Sequence, residues 1–336
     1  MIARMATLSY WAYSKAVLRL HGMEEVGVRL PVGPPRSHQG YETMQRAFHG
    51  GQSFYAIGAD FKTLERSKRV ISADIMDAWF DPSPRAIAKV RAYLAFALRT
   101  SPPIHGEGLI AAISRYRKIP PANLAVSGGS SDLIFTLLPK LIGKDDRVLI
   151  LDPMYGEYAH VLEAVLGARV IRHRLDPAKK FAIDVDRLIA DIRVHAPRVA
   201  IIVNPNNPTG AYLPRAAMLR LARALKGRTL LIVDEAYIDY VDTKQSVERD
   251  VPKHKNLVVI KTLSKAYGLS GARVGYLAAP TGIINLVTAF IPPWSVSLVG
   301  QIAGVEALAD TAYYKRRYAQ TRALRRDMAA RLRQIR

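Results

Sequence analysis

The residues from Thr262 to Tyr276 combine a lysine that follows the hydroxyl residues Thr262 and Ser264, a glycine-rich turn and an arginine. Lys265 follows a β-branched run that ends at Thr262, so its amine lies just beyond a predicted strand. Such an amine can hold an aldehyde cofactor as a Schiff base. The hydroxyls of Thr262 and Ser264, together with Arg273, can bind a phosphate group on that cofactor. The alternative is an ordinary strand–loop–strand segment with a surface lysine.

A carboxylate ends another apolar run, Leu230–Val233. Asp234 follows that run directly, and a carboxylate at this position is costly to bury without a partner. A protonated ring nitrogen is such a partner, and the ion pair would keep the ring able to accept electrons. The alternative is that Asp234 caps the helix that comes next.

Two polar turns follow further apolar runs. Asn204–Gly210 reads as a tight turn after a buried strand, although Asn, Pro and Gly also occur in turns for their backbone angles alone. The Gly- and Ser-rich stretch Val126–Leu133 precedes an apolar helix predicted over Leu133–Ile142. Backbone N–H groups and hydroxyls at a helix start suit a phosphate. Plain capping by Ser131 or Asp132 is the alternative, and both interpretations can hold together.

Seven short apolar or β-branched runs predict strands, and helical patterns separate most of them. The alternation predicts an α/β domain with a doubly wound, mainly parallel, seven-stranded sheet. Ligands collect beyond the carboxyl ends of strands in such sheets, which is where the polar segments above fall. The predicted strands are Leu124–Val126, Arg147–Leu151, Arg169–Arg172, Val199–Val203, Leu230–Val233, Leu257–Ile260 and Val274–Leu277.

These segments, in this order, resemble the class I and II aminotransferases that depend on pyridoxal phosphate. The similarity is greatest to the branch that contains histidinol-phosphate aminotransferases, and it covers roughly residues 70–336. The resemblance implies the fold-type I architecture, with a large cofactor domain and a small, incomplete second domain. It also implies a homodimer, with contacts near residues 70–110 and 290–300.

The resemblance assigns roles to individual side chains. Lys265 would form the Schiff base with pyridoxal phosphate and move a proton, and Asp234 would hold the ring nitrogen protonated. Tyr237 and Asn207 would contact the ring oxygen. Tyr155 would lie flat against the ring, although an aromatic residue at a strand end can also be part of the core. The phosphate would be held by Ser130, Ser131, Asp132, Thr262, Ser264 and Arg273.

The reaction implied by the resemblance is transamination between an amino donor and a 2-oxo acid. The same scaffold also supports decarboxylases and cyclases, and residues that bind the cofactor cannot choose among these reactions. A protein that binds the cofactor without turnover is a further alternative.

The sequence departs from the family in two places. A tyrosine that reaches the neighbouring subunit's cofactor phosphate is replaced by Thr100 or Ser101, and His105 or Glu107 could contribute instead. A late arginine that clamps the substrate α-carboxylate has no counterpart before Arg336. We therefore expect either a sequence truncated at its C-terminus or a different way of binding the substrate.

Composition narrows the class of protein. The chain has 336 residues, 49% of them hydrophobic, which suffices for one large domain with a smaller appendage. It contains no cysteine, which excludes disulfides and thiolate metal sites and fits the cytoplasm. The histidines show no metal-ligand spacing, so we expect no metal, and no apolar run reaches the length of a membrane span.

The charge is strongly positive, with 49 Lys and Arg against 28 Asp and Glu. Part of it lies in Tyr313–Arg336, a helical pattern in which Asp327 is the only acid. Such charge suits an anionic partner, but we favour a solvated helix, because nothing resembles a nucleic-acid-binding module.

Four parts are expected along the chain. Residues 1–36 form a basic extension, and 37–105 form the N-terminal part of the small domain. Within the latter, the resemblance implies that a strand in Ile71–Pro84 passes over the active site. Residues 106–295 form the large domain, and 296–336 return to the small domain as helices.

Overall fold

The computed structural model describes residues 49–335, so the expected extension over residues 1–36 lies outside the described residues. All seven predicted strands are present. Their order across the sheet is β1-β7-β6-β5-β4-β2-β3, and β7 runs antiparallel to both of its neighbours while the other pairs are parallel. The strands are β1 Leu124–Ser127, β2 Arg147–Asp152, β3 Arg169–Arg174, β4 Val199–Val203, β5 Leu230–Asp234, β6 Leu257–Thr262 and β7 Gly275–Ala278.

Helices cover both faces of this sheet. Short 3₁₀ segments lie in several connections, and a π-helical turn, Val161–Val165, continues the sixth helix. In the described part of the chain, the α-helices are α1 Gln52–Ile57, α2 Pro84–Ala92, α3 Leu94–Arg99, α4 Glu107–Arg117, α5 Ser130–Leu141, α6 Gly156–His160, α7 Val185–His195, α8 Arg215–Ala224, α9 Ile238–Val241, α10 Thr281–Thr288, α11 Leu298–Ala309 and α12 Thr311–Leu332.

The two faces of the sheet pack into separate hydrophobic cores. In β4, Val199, Ile201 and Val203 belong to the core that contains α5, whereas Ala200 and Ile202 belong to the core that contains α7 and α8. Successive side chains of a strand point to opposite faces, so both sets are buried. This is why the strands read as continuous apolar runs in the sequence rather than as alternating ones.

The pairing register brings the carboxyl ends of the central strands to one level. Val203 at the end of β4 pairs with Asp234 at the end of β5, and Asp234 pairs with Ile260 in β6. The polar residues that follow these strands therefore meet at one edge of the sheet, as the topology predicts.

The segment before α2 differs from the expectation. Residues 71–83 contain no strand and form irregular chain. Two hydrogen bonds to side chains of α12 hold this segment. Trp79 Nε1 donates to Thr321 Oγ1 at 2.9 Å, and the backbone N–H of Ser83 donates to the Tyr314 hydroxyl at 3.0 Å. A strand would need a partner strand for its backbone groups, and these contacts position the segment without one.

Helix α12 carries the basic pattern at the C-terminal end. Its first turns are anchored by three buried tyrosines, Tyr313, Tyr314 and Tyr318, and most later residues are exposed. No helix within residues 49–335 is long and apolar enough to span a bilayer.

Candidate active site

Lys265 lies in the loop after β6, at the sheet edge where the other candidates gather. Its Nζ lies 3.0 Å from Asp77 Oδ1, and its side chain is 22% exposed. The Tyr240 hydroxyl donates to the backbone carbonyl of Lys265 at 2.9 Å. The loop is thus fixed from both sides while the amine remains accessible to a small molecule.

Asp234 is buried at the end of β5. The Tyr158 hydroxyl donates to its Oδ2 at 2.8 Å, and the backbone N–H of Ala236 donates to its Oδ1 at 3.0 Å. Burial raises the pKa of Asp234, although these hydrogen bonds and the charge of Lys261 lower it in part. Its hydrogen-bond partners are neutral, so a protonated ring nitrogen would fit this carboxylate as a cationic partner.

Two further tyrosines, Tyr237 and Tyr155, lie close to Asp234. Tyr237 directly precedes α9. Burial raises the pKa of Tyr237, and the charge of Asp234 and the nearby Tyr155 raise it further. Burial and the charge of Glu157 raise the pKa of Tyr155, and hydrogen bonding with Ser131 offsets part of that rise. Both hydroxyls therefore stay protonated near neutral pH and can donate hydrogen bonds to a ring oxygen or phosphate.

The structure separates the three asparagines of the loop after β4. Asn204 is buried and exchanges hydrogen bonds of 2.9 and 2.8 Å with the backbone of Leu213. Asn206 is buried and donates to the Pro153 carbonyl at 2.9 Å. These two tie the loop down, whereas Asn207 is half-buried at its edge and stays the candidate for contact with the cofactor.

The candidate phosphate cradle is assembled from three segments. They are the start of α5, the end of β6 and Arg273. Thr262 Oγ1 and Ser264 Oγ lie 2.9 Å apart, and Nη1 of Arg273 lies 3.4 Å from Ser264 Oγ. The other side of the guanidinium abuts Gly129, where a Cβ would lie 2.4 Å from Arg273 Nη2. An arginine, two hydroxyls and the free N–H groups of a helix start form a donor set that suits a phosphate.

The start of α5 also shows what the neighbouring candidates do. Ser130 and Ser131 are the first residues of the helix and are half-buried. Asp132 accepts hydrogen bonds from the Ser127 hydroxyl and from the Gly128 N–H, the latter at 3.1 Å. A carboxylate repels a phosphate, so Asp132 can contribute by shaping this loop.

A buried cluster of charged side chains packs against α9, next to the site. Arg117 forms two hydrogen bonds to Asp239 in α9, of 2.7 and 3.0 Å, and Lys261 Nζ lies 3.5 Å from the same carboxylate. Burial alone would raise the pKa of Asp239, but the charges of Arg117 and Lys261 outweigh it and lower the pKa to about 2. The cluster fixes α9 and, with it, the flanking Tyr237.

Two residues near the site were missed by the sequence analysis. Tyr158 lies one helical turn after Tyr155, and that spacing is a local signal that both face the same way. Asp77 gave no such signal, because its contact with Lys265 spans 188 positions of the chain.

Comparison with known proteins places the chain in a family. The family model for aminotransferase class I and II matches residues 77–336, and the chain belongs to this family of enzymes. A histidinol-phosphate aminotransferase from Ruminiclostridium cellulolyticum is 30% identical over 241 residues, covering 71% of this chain and 66% of the relative. One from Cupriavidus pinatubonensis is 33% identical over 268 residues, covering 78% and 70%.

The solved structures agree with the family assignment. Histidinol-phosphate aminotransferase from Sinorhizobium meliloti, solved in complex with pyridoxal-5'-phosphate, superposes with a TM-score of 0.67 at 25% identity. That match covers 73% of this chain and 65% of the other. The fold-type I class predicted from the sequence is confirmed. The chain spans slightly less than two thirds of the length of the first relative and of this neighbour.

Proposed function

We propose that the protein is a pyridoxal-phosphate-dependent aminotransferase. It would move an amino group from an amino acid, or an amine derived from one, to a 2-oxo acid. The observation that carries the proposal is the meeting of Lys265, Asp234 and the phosphate cradle at one edge of the sheet. An amine, a buried carboxylate and an anion-binding set are the groups that pyridoxal phosphate requires of its protein.

The proposed roles follow from the positions of the side chains. Arg273, Thr262 and Ser264, with the start of α5 at Ser130 and Ser131, would bind the phosphate. Asp234 would keep a proton on the ring nitrogen, aided by the hydrogen bond from Tyr158. Tyr237 and Asn207 would donate to the ring oxygen, and Tyr155 would pack against the ring face.

Lys265 would perform the proton transfers. When bound, pyridoxal phosphate supplies an acceptor for the electron pair that remains on the substrate carbon after a proton leaves. Lys265 Nζ would act as the general base that takes the proton from the substrate Cα and then as the general acid that gives a proton back. The half-buried position of this amine keeps most bulk water away from the transferred proton.

Amine transfer is the test of this function. The purified protein, loaded with pyridoxal phosphate, is incubated with single amino donors, including histidinol phosphate, and with a panel of 2-oxo acids. We expect at least one pair to yield the aminated acceptor and the deaminated donor in equal amounts. Release of carbon dioxide without amine transfer would favour a decarboxylase. Cofactor binding with no donor-dependent reaction would favour a non-catalytic binding protein.

We also propose a cytoplasmic homodimer. Large apolar side chains are exposed on the segments where the contact is expected, with Leu98 at 73%, Trp294 at 52% and Phe290 at 48%. A two-fold contact would bury them together. Light scattering at micromolar concentration should give a dimer, and Leu98→Asp should shift it towards monomer while the exposed Leu324→Asp should not. A wild-type monomer would contradict this proposal.

A further inference from the structure

Asp77 has a contact with the reactive amine that the roles above do not use. Its Oδ1 lies 3.0 Å from Lys265 Nζ and accepts a hydrogen bond of 2.6 Å from Ser270 Oγ. Ser270 Oγ also lies 3.1 Å from the backbone carbonyl of Ser264, so the hydroxyl joins Asp77 to the loop that carries the lysine. The carboxylate of Asp77 carries the charge opposite to that of the Lys265 ammonium, and the Ser270 hydroxyl holds this carboxylate by a hydrogen bond.

The segment that carries Asp77 is fixed in place. Phe80 is buried, and its ring packs against Tyr314 with the centroids 6.4 Å apart. The Tyr313 hydroxyl donates to the Asp81 carbonyl at 2.7 Å. On the side of the lysine loop, a Cβ on Gly268 would lie 3.1 Å from the Phe80 carbonyl, so the two backbones are in contact. Asp77 is therefore held against Lys265 by packing on both sides.

The charges around Asp77 favour its ionised form. Partial burial raises the pKa of Asp77, but hydrogen bonds from Ser270 and Lys265 and the charges of Lys265 and Arg273 outweigh this, so the pKa lies below its usual value. The side chains are 22% exposed for Lys265 and 47% exposed for Asp77. An ion pair with this exposure holds the amine and can still be opened by a ligand.

We propose that Asp77, supported by Ser270, is a positioning residue that binds the Lys265 ammonium before the cofactor arrives and is released when the cofactor is captured. This proposal rests on the proposed function. Capture requires Nζ to lose a proton to solvent and to bond to the aldehyde carbon, whose oxygen leaves as water. The ion pair with Asp77 opposes the loss of the proton from Nζ. It therefore slows capture of the cofactor and also limits unproductive reaction of the amine with other carbonyl compounds.

The test compares wild type with Asp77→Asn, which keeps the shape and removes the charge. Asp81→Asn, an exposed change of the same kind on the same segment, is the control. Cofactor-free protein is mixed with pyridoxal phosphate, and the capture rate is followed by the visible absorbance of the bound cofactor. In parallel, acetic anhydride labels the cofactor-free protein, and peptide mapping gives the labelling rate of Lys265. Both rates are measured at neutral pH, in dilute and in concentrated salt.

We expect Asp77→Asn to speed both reactions at neutral pH by about two- to fivefold, the range for a partly exposed ion pair. The difference should shrink in concentrated salt, which screens the ion pair. Ser270→Ala should act in the same direction and more weakly. Asp81→Asn should match wild type.

Two outcomes would overturn the proposal. Equal labelling of Lys265 in wild type and Asp77→Asn, even with a lower thermal stability, would show that Asp77 only tethers its segment. Slower capture in Asp77→Asn would show that the carboxylate assists the amine instead of withholding it. If wild type captures no cofactor on Lys265, it is the proposed function that fails, and the labelling rates of cofactor-free protein still decide the role of Asp77.

Discussion

Replacing Lys265 with alanine is expected to abolish amine transfer. The substitution would remove one amine with two proposed roles, which are to bind the cofactor aldehyde and to move the Cα proton. Proton transfer by a positioned side chain alone contributes about 10²- to 10⁴-fold, so the combined loss should be at least about a thousandfold. The measurement is the initial rate of amine transfer with the best donor and acceptor found for wild type.

The fold should survive this change. The Lys265 side chain makes one ion pair, with the partly exposed Asp77, and such pairs contribute about 0–1 kcal/mol. Thermal unfolding of the cofactor-free variant should therefore resemble that of wild type. Lys226→Ala, at an exposed position on the connection after α8, is the matched control and should retain full activity.

Chemical mapping checks the same residue independently. Borohydride reduction of wild type with pyridoxal phosphate should attach the cofactor to the peptide that contains Lys265. Lys261 is the competing lysine closest in sequence, but it is buried beside the carboxylates of Asp239 and Glu235. A tag on another lysine, or an active Lys265→Ala variant, would contradict the assignment.

Much of the fold could be read from the sequence, because the sheet is covered on both faces. Burial on both faces requires continuous apolar runs such as Val199–Val203 and Leu257–Ile260, and these are visible without knowledge of their partners. The structure extends several strands by one or two residues, to Ser127, Asp152 and Thr262. Polar end residues carry no hydrophobic signal, so strand ends are harder to place than strand centres.

Candidate site residues are visible in the sequence where they lie at or just beyond the end of a strand, and not where a distant segment brings them in. Lys265 follows β6 and Asp234 is the last residue of β5, so the sequence could single out both as candidates. Tyr158 reaches Asp234 across 76 positions, and Asp77 reaches Lys265 across 188. Such contacts depend on how α6 and the segment before α2 pack, which no local pattern specifies. The absence of a strand in residues 71–83 has the same origin, because pairing depends on a partner strand.

Asp234→Asn should leave pyridoxal phosphate bound and slow the removal of the substrate Cα proton by about a hundredfold or more. The candidate cradle around Arg273 is a separate set of residues, so it should still bind the phosphate. An amide cannot stabilise a positive charge on the ring nitrogen, and loss of one preorganised electrostatic group costs about 10²–10³ in rate. The measurement is exchange of the α-proton into deuterated water with a panel of amino acids, which does not require the natural substrate to be known.

Three results of this exchange experiment separate the remaining interpretations of Asp234. Slow exchange in the variant, with cofactor still bound, supports its pairing with the ring nitrogen. Equal exchange in the two proteins would mean that Asp234 has only a structural role, as the helix-cap alternative proposes. In that role it accepts the hydrogen bond from the Ala236 N–H. No exchange in wild type with cofactor attached to Lys265 would instead identify a binding protein without turnover. Tyr158→Phe removes the hydrogen bond from the Tyr158 hydroxyl to Asp234. If the carboxylate acts on the ring, the exchange rate of this variant should lie between those of wild type and Asp234→Asn. If Asp234 is only a helix cap, loss of this hydrogen bond should leave the exchange rate unchanged.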